Sequence, residues 1–371
     1  MFWNIYKNKK VLITGHTGFK GSWLSTWLIK LGANVVGVSI DIPTNPSMFV
    51  DLELEKKMKH VIADVRDYST IQKILIEEKP DFIFHLAAQA IVSKSYSNPT
   101  ETMTTNIIGT MNILESLRSY NASCVAIMIT SDKCYDNVEW IWGYKETDQM
   151  GGKDIYSGSK GAAELVIKSY IHSFFNNENH PVKIGIGRAG NVIGGGDWAT
   201  DRIVVDCMKN WNSGKIVEIR SPKATRPWQH VLEPLSGYLS LGANIFLNNK
   251  LHGEAFNFGP RAEQNHTVVD LITDLSRYWG FENSNKAYNI TDEIPFHEAG
   301  LLKLNCDKAL FYLKWESNLK YNETIKLIAE WYLSYFNKEK DLFSKTIAQI
   351  LEYENIAIKR NNSWSKQLSN E

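Results

Sequence analysis

Short apolar runs alternate with stretches of helical spacing along the first half of the chain, and that alternation predicts the fold. Residues 11–14, 35–40, 61–64, 81–87 and 125–130 are β-branched or apolar runs bounded by turn residues, which read as buried strands. After the first run, Trp23, Leu24, Trp27, Leu28 and Leu31 recur at helical spacing and stop at Gly32. Residues 105–114 give another helix, and a third begins at Tyr156 and continues through Ala162, Leu165, Val166, Ser169 and Tyr170. Residues 183–188 and 255–259 read as a sixth and a seventh strand. Such β-α alternation predicts an α/β protein on a parallel sheet wound on both faces. Beyond about residue 337, Leu342, Ile347, Ile350 and Leu351 keep helical spacing before a polar tail that is expected to fray. The expected organisation is a nucleotide-binding and catalytic unit over 1–190, a smaller α/β substrate region over 191–335, and a helical extension over 336–371.

At 371 residues the chain suits one large domain or two closely packed ones. Its 41 Lys and Arg balance its 41 Asp and Glu. No net charge therefore steers it towards nucleic acid or an acidic membrane, and any anion site must be local. Cys124, Cys134, Cys207 and Cys306 are scattered, without metal-ligand spacing. That pattern predicts reduced thiols, a cytoplasmic protein and no bound metal. The N-terminus has no apolar segment of signal-peptide length, and no stretch approaches about 18 uninterrupted apolar residues, so no membrane span is expected.

The first strand leads directly into Gly15, Gly18 and Gly21, spaced G-x-x-G-x-x-G, and then into a helix. Strand, glycine turn and helix are the setting of a dinucleotide fingerprint. Glycines let the backbone approach a pyrophosphate, and the helix N-terminus offers it unpaired N–H groups. The spacing alone also fits a tight turn in another α/β protein. A NAD site often ends its second strand on an acidic residue for the ribose hydroxyls. Here Ser39 holds that position, with Asp41 beyond it and no arginine following at once for a 2′-phosphate, so NAD and NADP both stay open. Asp64 reads either as an adenine ligand or as the N-cap of the helix beginning at Tyr68. The fourth strand runs into Ala87, Ala88 and Gln89, where small residues suit a backbone passing close to a cofactor.

Ser131, Asp132 and Lys133 leave the carboxyl end of the fifth strand, where ligands bind in open α/β sheets. Tyr156 and Lys160 follow on the next helix at i and i+4, about one turn apart and on one face. A free tyrosine has a pKa of about 10, and a neighbouring cation favours the phenolate. Such a pair can take a proton from a sugar hydroxyl. By itself, Y-x-x-x-K is common, and a surface pair on an amphipathic helix is the plain alternative.

Taken together, GxxGxxG, LAAQ, Ser-Asp-Lys and Y-x-x-x-K resemble the extended short-chain dehydrogenase/reductase family. The strings ITSDKCYDNVEWIWGY, SKGAAELV, RAGNVIGGGDWATDR and RPWQHVLEPLSGYL are similar to those of its sugar-nucleotide 4,6-dehydratases acting on CDP-glucose. The likeness runs from about Trp3 to about Trp331, with Ile155 where the family usually has proline. It implies a Rossmann-type fold, bound NAD (with NADP still open) and a homodimer or homotetramer paired through helices near residues 100–119 and 156–175. It implies conversion of CDP-D-glucose to CDP-4-keto-6-deoxy-D-glucose by internal hydride transfer from C4 to C6, in deoxysugar and O-antigen-type polysaccharide synthesis. Tyr156 would be the base at O4, aided by Lys160 and Ser131, and Asp132 the acid at the C6 hydroxyl. Lys133, where many of these enzymes carry glutamate, is either the C5 base or a counter-charge to Asp132. The cofactor candidates are Gly15, Thr17, Gly18, Phe19, Gly21, Ser39, Asp64, Val65, Leu86, Ala87, Ala88 and Gln89, with Tyr156 and Lys160.

Substrate candidates are Gln89, Asn191, Arg202, Arg220, Arg226 and His230. Arginines grip phosphate bidentately, although each alone also reads as a surface ion-pair residue. Residues 194–196 are a glycine turn without the strand–turn–helix setting of a phosphate loop, and read as a lid or substrate loop. The competing readings are a sugar-nucleotide 4-epimerase, which has no need of Asp132 and Lys133, and a non-catalytic NAD-sensing protein, which has no need of the whole constellation.

Overall fold

The computed structural model describes residues 1–366 apart from 178, 262–263, 265 and 292–300, with Arg226 described by its backbone only. Its centre is a seven-stranded sheet. The strands are β1 (Lys10–Thr14), β2 (Asn34–Ser39), β3 (Lys59–Ile62), β4 (Phe82–His85), β5 (Cys124–Ile129), β6 (Val182–Ala189) and β7 (Ala255–Phe258). They lie in the order β7-β6-β5-β4-β1-β2-β3, every neighbouring pair parallel. Strand order reverses between β1 and β4, and that switch opens a crevice at the carboxyl ends of the strands.

The sequence period explains why the sheet is covered twice. Val11 and Ile13 belong to one apolar cluster while Leu12, between them, belongs to the other. Phe82 and Phe84 against Ile83, and Val125 and Ile127 against Ala126 and Met128, divide in the same way. The helices α1 (Phe19–Lys30) and α6 (Leu232–Leu247) cover the first face through Trp23, Trp27, Leu235 and Leu239. The second face is covered by α2 (Tyr68–Glu78), α3 (Gly109–Arg118) and α4 (Ile155–Tyr170), through Ile71, Leu75, Ile113, Leu117 and Ile167. Each such side chain, fully buried, is worth roughly 1.5–3 kcal/mol. α4 opens without the family's proline, because the Asp154 side chain caps it by accepting from the Ser157 N–H at 2.9 Å.

Among the described residues the other α-helices of ten residues or more are α5 (Ile203–Asn212), α7 (Val268–Tyr278), α8 (Tyr321–Phe336) and α9 (Leu342–Lys359). Two sequence expectations change here. The turn at residues 194–196 is no lid, because it is buried under α8. Trp23 Nε1 donates to the Gly195 carbonyl at 2.9 Å, a Cβ at Gly195 would overlap Trp331, and Gly196 has φ +79° against Met48. The polar tail is also packed as far as it is described. Trp364 is fully buried, stacked on Phe2 at 4.9 Å and close to Trp27 and Tyr353. The loop at residues 136–143 leaves Val138, Trp140, Ile141 and Trp142 exposed. No described helix is long and apolar enough to cross a membrane.

Candidate active site

The tip of β5 and the first two turns of α4 meet at the crevice. Beyond Ile129 the chain makes one tight turn over Asp132–Cys134. In it the Ser131 hydroxyl donates to Asp132 Oδ1 at 2.9 Å and accepts the Lys133 N–H at 3.2 Å. Ser131, Asp132, Tyr156 and Lys160 are all buried. Gly190 lies close by, where a Cβ would come 3.0 Å from Asp132 Oδ2.

Burial shifts the proton affinities. It raises the Asp132 carboxyl above the usual carboxylate range, against the opposing pull of Lys133 and Ser131. It pushes the Tyr156 phenol up to about 12, partly offset by a hydrogen bond with Ser131. The cation acting most on that phenol is Arg202, where the sequence reading gave this part to Lys160. Lys160 is itself lowered to about 8 by burial, opposed by Cys134 and Glu164. Lys133 is not ion-paired to Asp132, so the counter-charge reading finds no direct contact.

Glu164 and Arg188 were not foreseen. Tyr156, Lys160 and Glu164 form one stripe at four-residue spacing on α4. Glu164 holds Arg188 of β6 bidentately at 2.8 and 2.9 Å, with neither side chain exposed, and accepts from Thr130 at the end of β5 at 2.5 Å. Arg188 also donates to the Tyr135 hydroxyl at 2.8 Å. A buried pair in which Arg188 makes four hydrogen bonds, the last to the Glu146 carbonyl at 3.1 Å, locks α4 to the strand tip. The signal in the sequence was the third member of the four-residue spacing.

The cofactor candidates form a cradle between β1, β4 and α1. Gly15 has φ +77°, and a Cβ there would come 2.8 Å from the Ala87 nitrogen. A Cβ at Gly21 would overlap the Gly15 carbonyl, whereas one at Gly18 would only touch that oxygen at 3.4 Å, and Gly18 leaves the α1 N-terminus without a side-chain cap. Thr17, Phe19, Leu86 and Ala88 line the same turns, and Val65 lies beneath Gly109. Three candidates have other work. Ser39 is taken by His16 Nδ1 at 2.9 Å and by the Thr17 N–H, with His16 Nε2 in turn 2.7 Å from His60 Nδ1. Asp64 is held bidentately by Arg66, and the cap of α2 is Asp67, so its helix-cap alternative falls. Gln89 spends both amide protons on Ile91 O and Thr102 Oγ1 and accepts the Ile91 N–H, which leaves its side chain a structural clamp.

Past the strand tips a cavity of about 200 Å³ is lined by Asn191, Asp197, Arg202, Glu218, Arg220 and Trp228. Arg202 and Arg220 thus share one wall with Asn191. His230 is fully buried against Trp23, away from that lining, and burial lowers its pKa to about 3. Arg226 belongs to a two-residue strand opposite His266, and its side chain lies outside the described residues. Lys20, Lys133, Lys160, Arg202 and Arg220 make no side-chain hydrogen bond or ion pair to any described residue. Arg202 and Arg220 thus bring two cations without a side-chain partner among the described residues to one cavity.

A doubly wound sheet with a glycine turn after β1, an acid at the tip of β5 and a Tyr–Lys pair on the next helix defines an extended short-chain dehydrogenase/reductase. The chain belongs to the GDP-mannose 4,6-dehydratase family, whose profile matches residues 12–328. It is 43% identical to the CDP-glucose 4,6-dehydratase of Salmonella typhimurium, over 94% of this chain and 97% of that one. It is 27% identical to the CDP-paratose 2-epimerase of Salmonella typhi, over 72% and 84%. Among solved structures, a dTDP-glucose 4,6-dehydratase of Streptomyces venezuelae crystallised with NAD superposes with a TM-score of 0.75 at 18% identity, covering 90% of this chain and 99% of that one. The UDP-glucose 4-epimerase of Thermotoga maritima superposes equally, at 0.75 and 23% identity, covering 89% and 100%.

Proposed function

We propose that this chain is a CDP-glucose 4,6-dehydratase using NAD, which forms CDP-4-keto-6-deoxy-D-glucose and water. The observation that carries the reading is Asp132, a buried carboxyl with raised pKa, hydrogen-bonded to Ser131 beside Tyr156. A 4-epimerase needs the tyrosine but no acid of this kind. The cytidine preference rests on the 43% relative, whose name specifies that substrate.

The residues present fit a dinucleotide: Gly15, Gly18 and the uncapped α1 N-terminus suit its diphosphate, and Lys160 its ribose. When bound, NAD would supply the hydride acceptor for C4 and the hydride donor for C6, leaving the net oxidation state unchanged. Tyr156 takes the proton from O4, with Ser131 hydrogen-bonded to the same oxygen. Asp132, whose hold on a proton burial strengthens, gives its proton to the leaving hydroxyl at C6. Lys133, with no ion pair among the described residues, removes the proton from C5 as a neutral amine and returns one to C5 when hydride reaches C6. Arg202 and Arg220 grip the nucleotide's phosphates from the cavity wall.

The test is to incubate the protein with NAD and CDP-, dTDP-, GDP- and UDP-glucose and to assay for 4-keto-6-deoxy product by its absorbance in alkali. Product from CDP-glucose ahead of the others is expected, and none from any of them would end the reading.

The assembly we propose is a homodimer. Ile108, Leu165 and Phe174 leave exposed apolar surface on and beside α3 and α4, which pack side by side. Leu165→Glu should halve the mass measured by light scattering. Four free cysteines suit the reducing cytoplasm.

A further inference from the structure

The cavity that offers Arg202 and Arg220 to phosphate also has four carboxylates in its wall, Asp197, Asp201, Asp206 and Glu218. Like charges repel a diphosphate, so each needs a task of its own or a reason to face away. Three have one. Asp197 accepts the Ala199 N–H at 3.1 Å and Asp201 accepts the Ser93 hydroxyl at 2.5 Å. Glu218 is exposed between the buried Val217 and Ile219, so the alternation of that short strand turns it towards solvent. Asp206 is different. It is half-buried, and its carboxylate has no hydrogen-bond or ion-pair partner among the described residues. Its backbone N–H donates to the Arg202 carbonyl at 2.9 Å, which sets the two residues one helical turn apart on one face of α5. The cavity wall thus presents a guanidinium and, about 5.4 Å further along the helix axis, an open carboxylate.

A diphosphate has no use for that carboxylate, but the base it carries does. An ionised carboxylate accepts hydrogen bonds and donates none. Burial and the charge of Asp201 raise the Asp206 pKa only to about 6, so the group is ionised at neutral pH. Cytosine presents an amino group at C4, where uracil and thymine present a carbonyl oxygen. We propose that Asp206 selects the pyrimidine base, accepting from the C4 amino group of cytosine and repelling the C4 oxygen of uracil or thymine. This inference rests on the cytidine nucleotide reading above and names the residue responsible for it.

Wild type and Asp206→Asn are titrated calorimetrically at neutral pH with CDP and with UDP in separate experiments. The carboxamide keeps the shape of the side chain but both donates and accepts, so it can meet either base. Removing a charge near the diphosphate acts on both ligands alike, so the readout is the ratio of CDP to UDP affinity. That ratio should favour CDP in wild type and fall roughly ten- to a hundredfold in Asp206→Asn. A wild-type preference for CDP that survives in Asp206→Asn overturns the proposal and leaves the cytidine reading standing. A wild type without that preference overturns both. Should Asp206→Asn unfold, Asp206→Ser, whose hydroxyl also donates and accepts, serves the same comparison.

Discussion

Asp132 and Lys133 are adjacent residues with opposite fates. One is a buried carboxyl whose pKa burial raises, hydrogen-bonded to its neighbour, and the other is a lysine whose side chain has no hydrogen-bond or ion-pair partner among the described residues. In the proposed reaction they act on adjacent carbons, so their variants should separate. Asp132→Asn keeps the hydrogen-bonding shape but has no proton to give, and product formation should fall about 10²–10⁴-fold. Exchange of the C5 proton with solvent deuterium should persist in it. Lys133→Met should slow that exchange, and exchange at the wild-type rate would retire the lysine as base. The residues that position this chemistry were less visible. Arg188 and Glu164 are 24 residues apart, and neither occupies a motif position that proclaims a partner. Gln89 fell at a promising place, but which atoms an amide satisfies depends on Ile91 and Thr102 at specific distances.

The sheet was legible at the level of elements, because parallel strands buried on both faces are continuous apolar runs and the turns between them carry glycine. At 194–196 the lid reading failed for a physical reason, while Gly194 does line the cavity as a substrate loop would. Glycine serves equally where a loop must move and where another residue must pack against bare backbone, and only the partner, Trp331 from 136 residues along, decides between them. Gly195→Ala therefore drives a methyl into an indole and should cost about 3 kcal/mol or more; unchanged denaturant stability would show that α8 yields at no cost. The last segment misled in the opposite sense. Trp364 is a lone aromatic among polar residues, too sparse a signal for periodicity, yet it closes a cluster with Phe2, Trp27 and Tyr353. Trp364→Ala should cost about 3–5 kcal/mol, read as a lower urea midpoint at unchanged slope.

The molecule as a whole is tuned against acid. Burial lowers His16 to about 4, His85 to about 3 and His230 to about 3, so these histidines fold as neutral rings. An unfolded histidine takes up a proton near pH 6.5, so the native state is favoured above that pH. The stabilisation is lost as pH falls from about 6.5 through the folded values, by on the order of 3 kcal/mol at pH 4 for each fully buried ring. The melting temperature should drop steeply over that interval, and His230→Gln should flatten the drop; a parallel curve would place the acid lability elsewhere.

Most of these measurements can be read without a label. Trp23, Trp27, Trp315, Trp331 and Trp364 have no solvent exposure at all, whereas Trp140 and Trp142 stand 41% and 67% exposed on the loop that follows Lys133. Native emission is therefore dominated by indoles in dry surroundings and should shift to longer wavelength on unfolding. Iodide, unable to enter the core, should quench chiefly the two on the loop, which gives that loop an optical signal of its own.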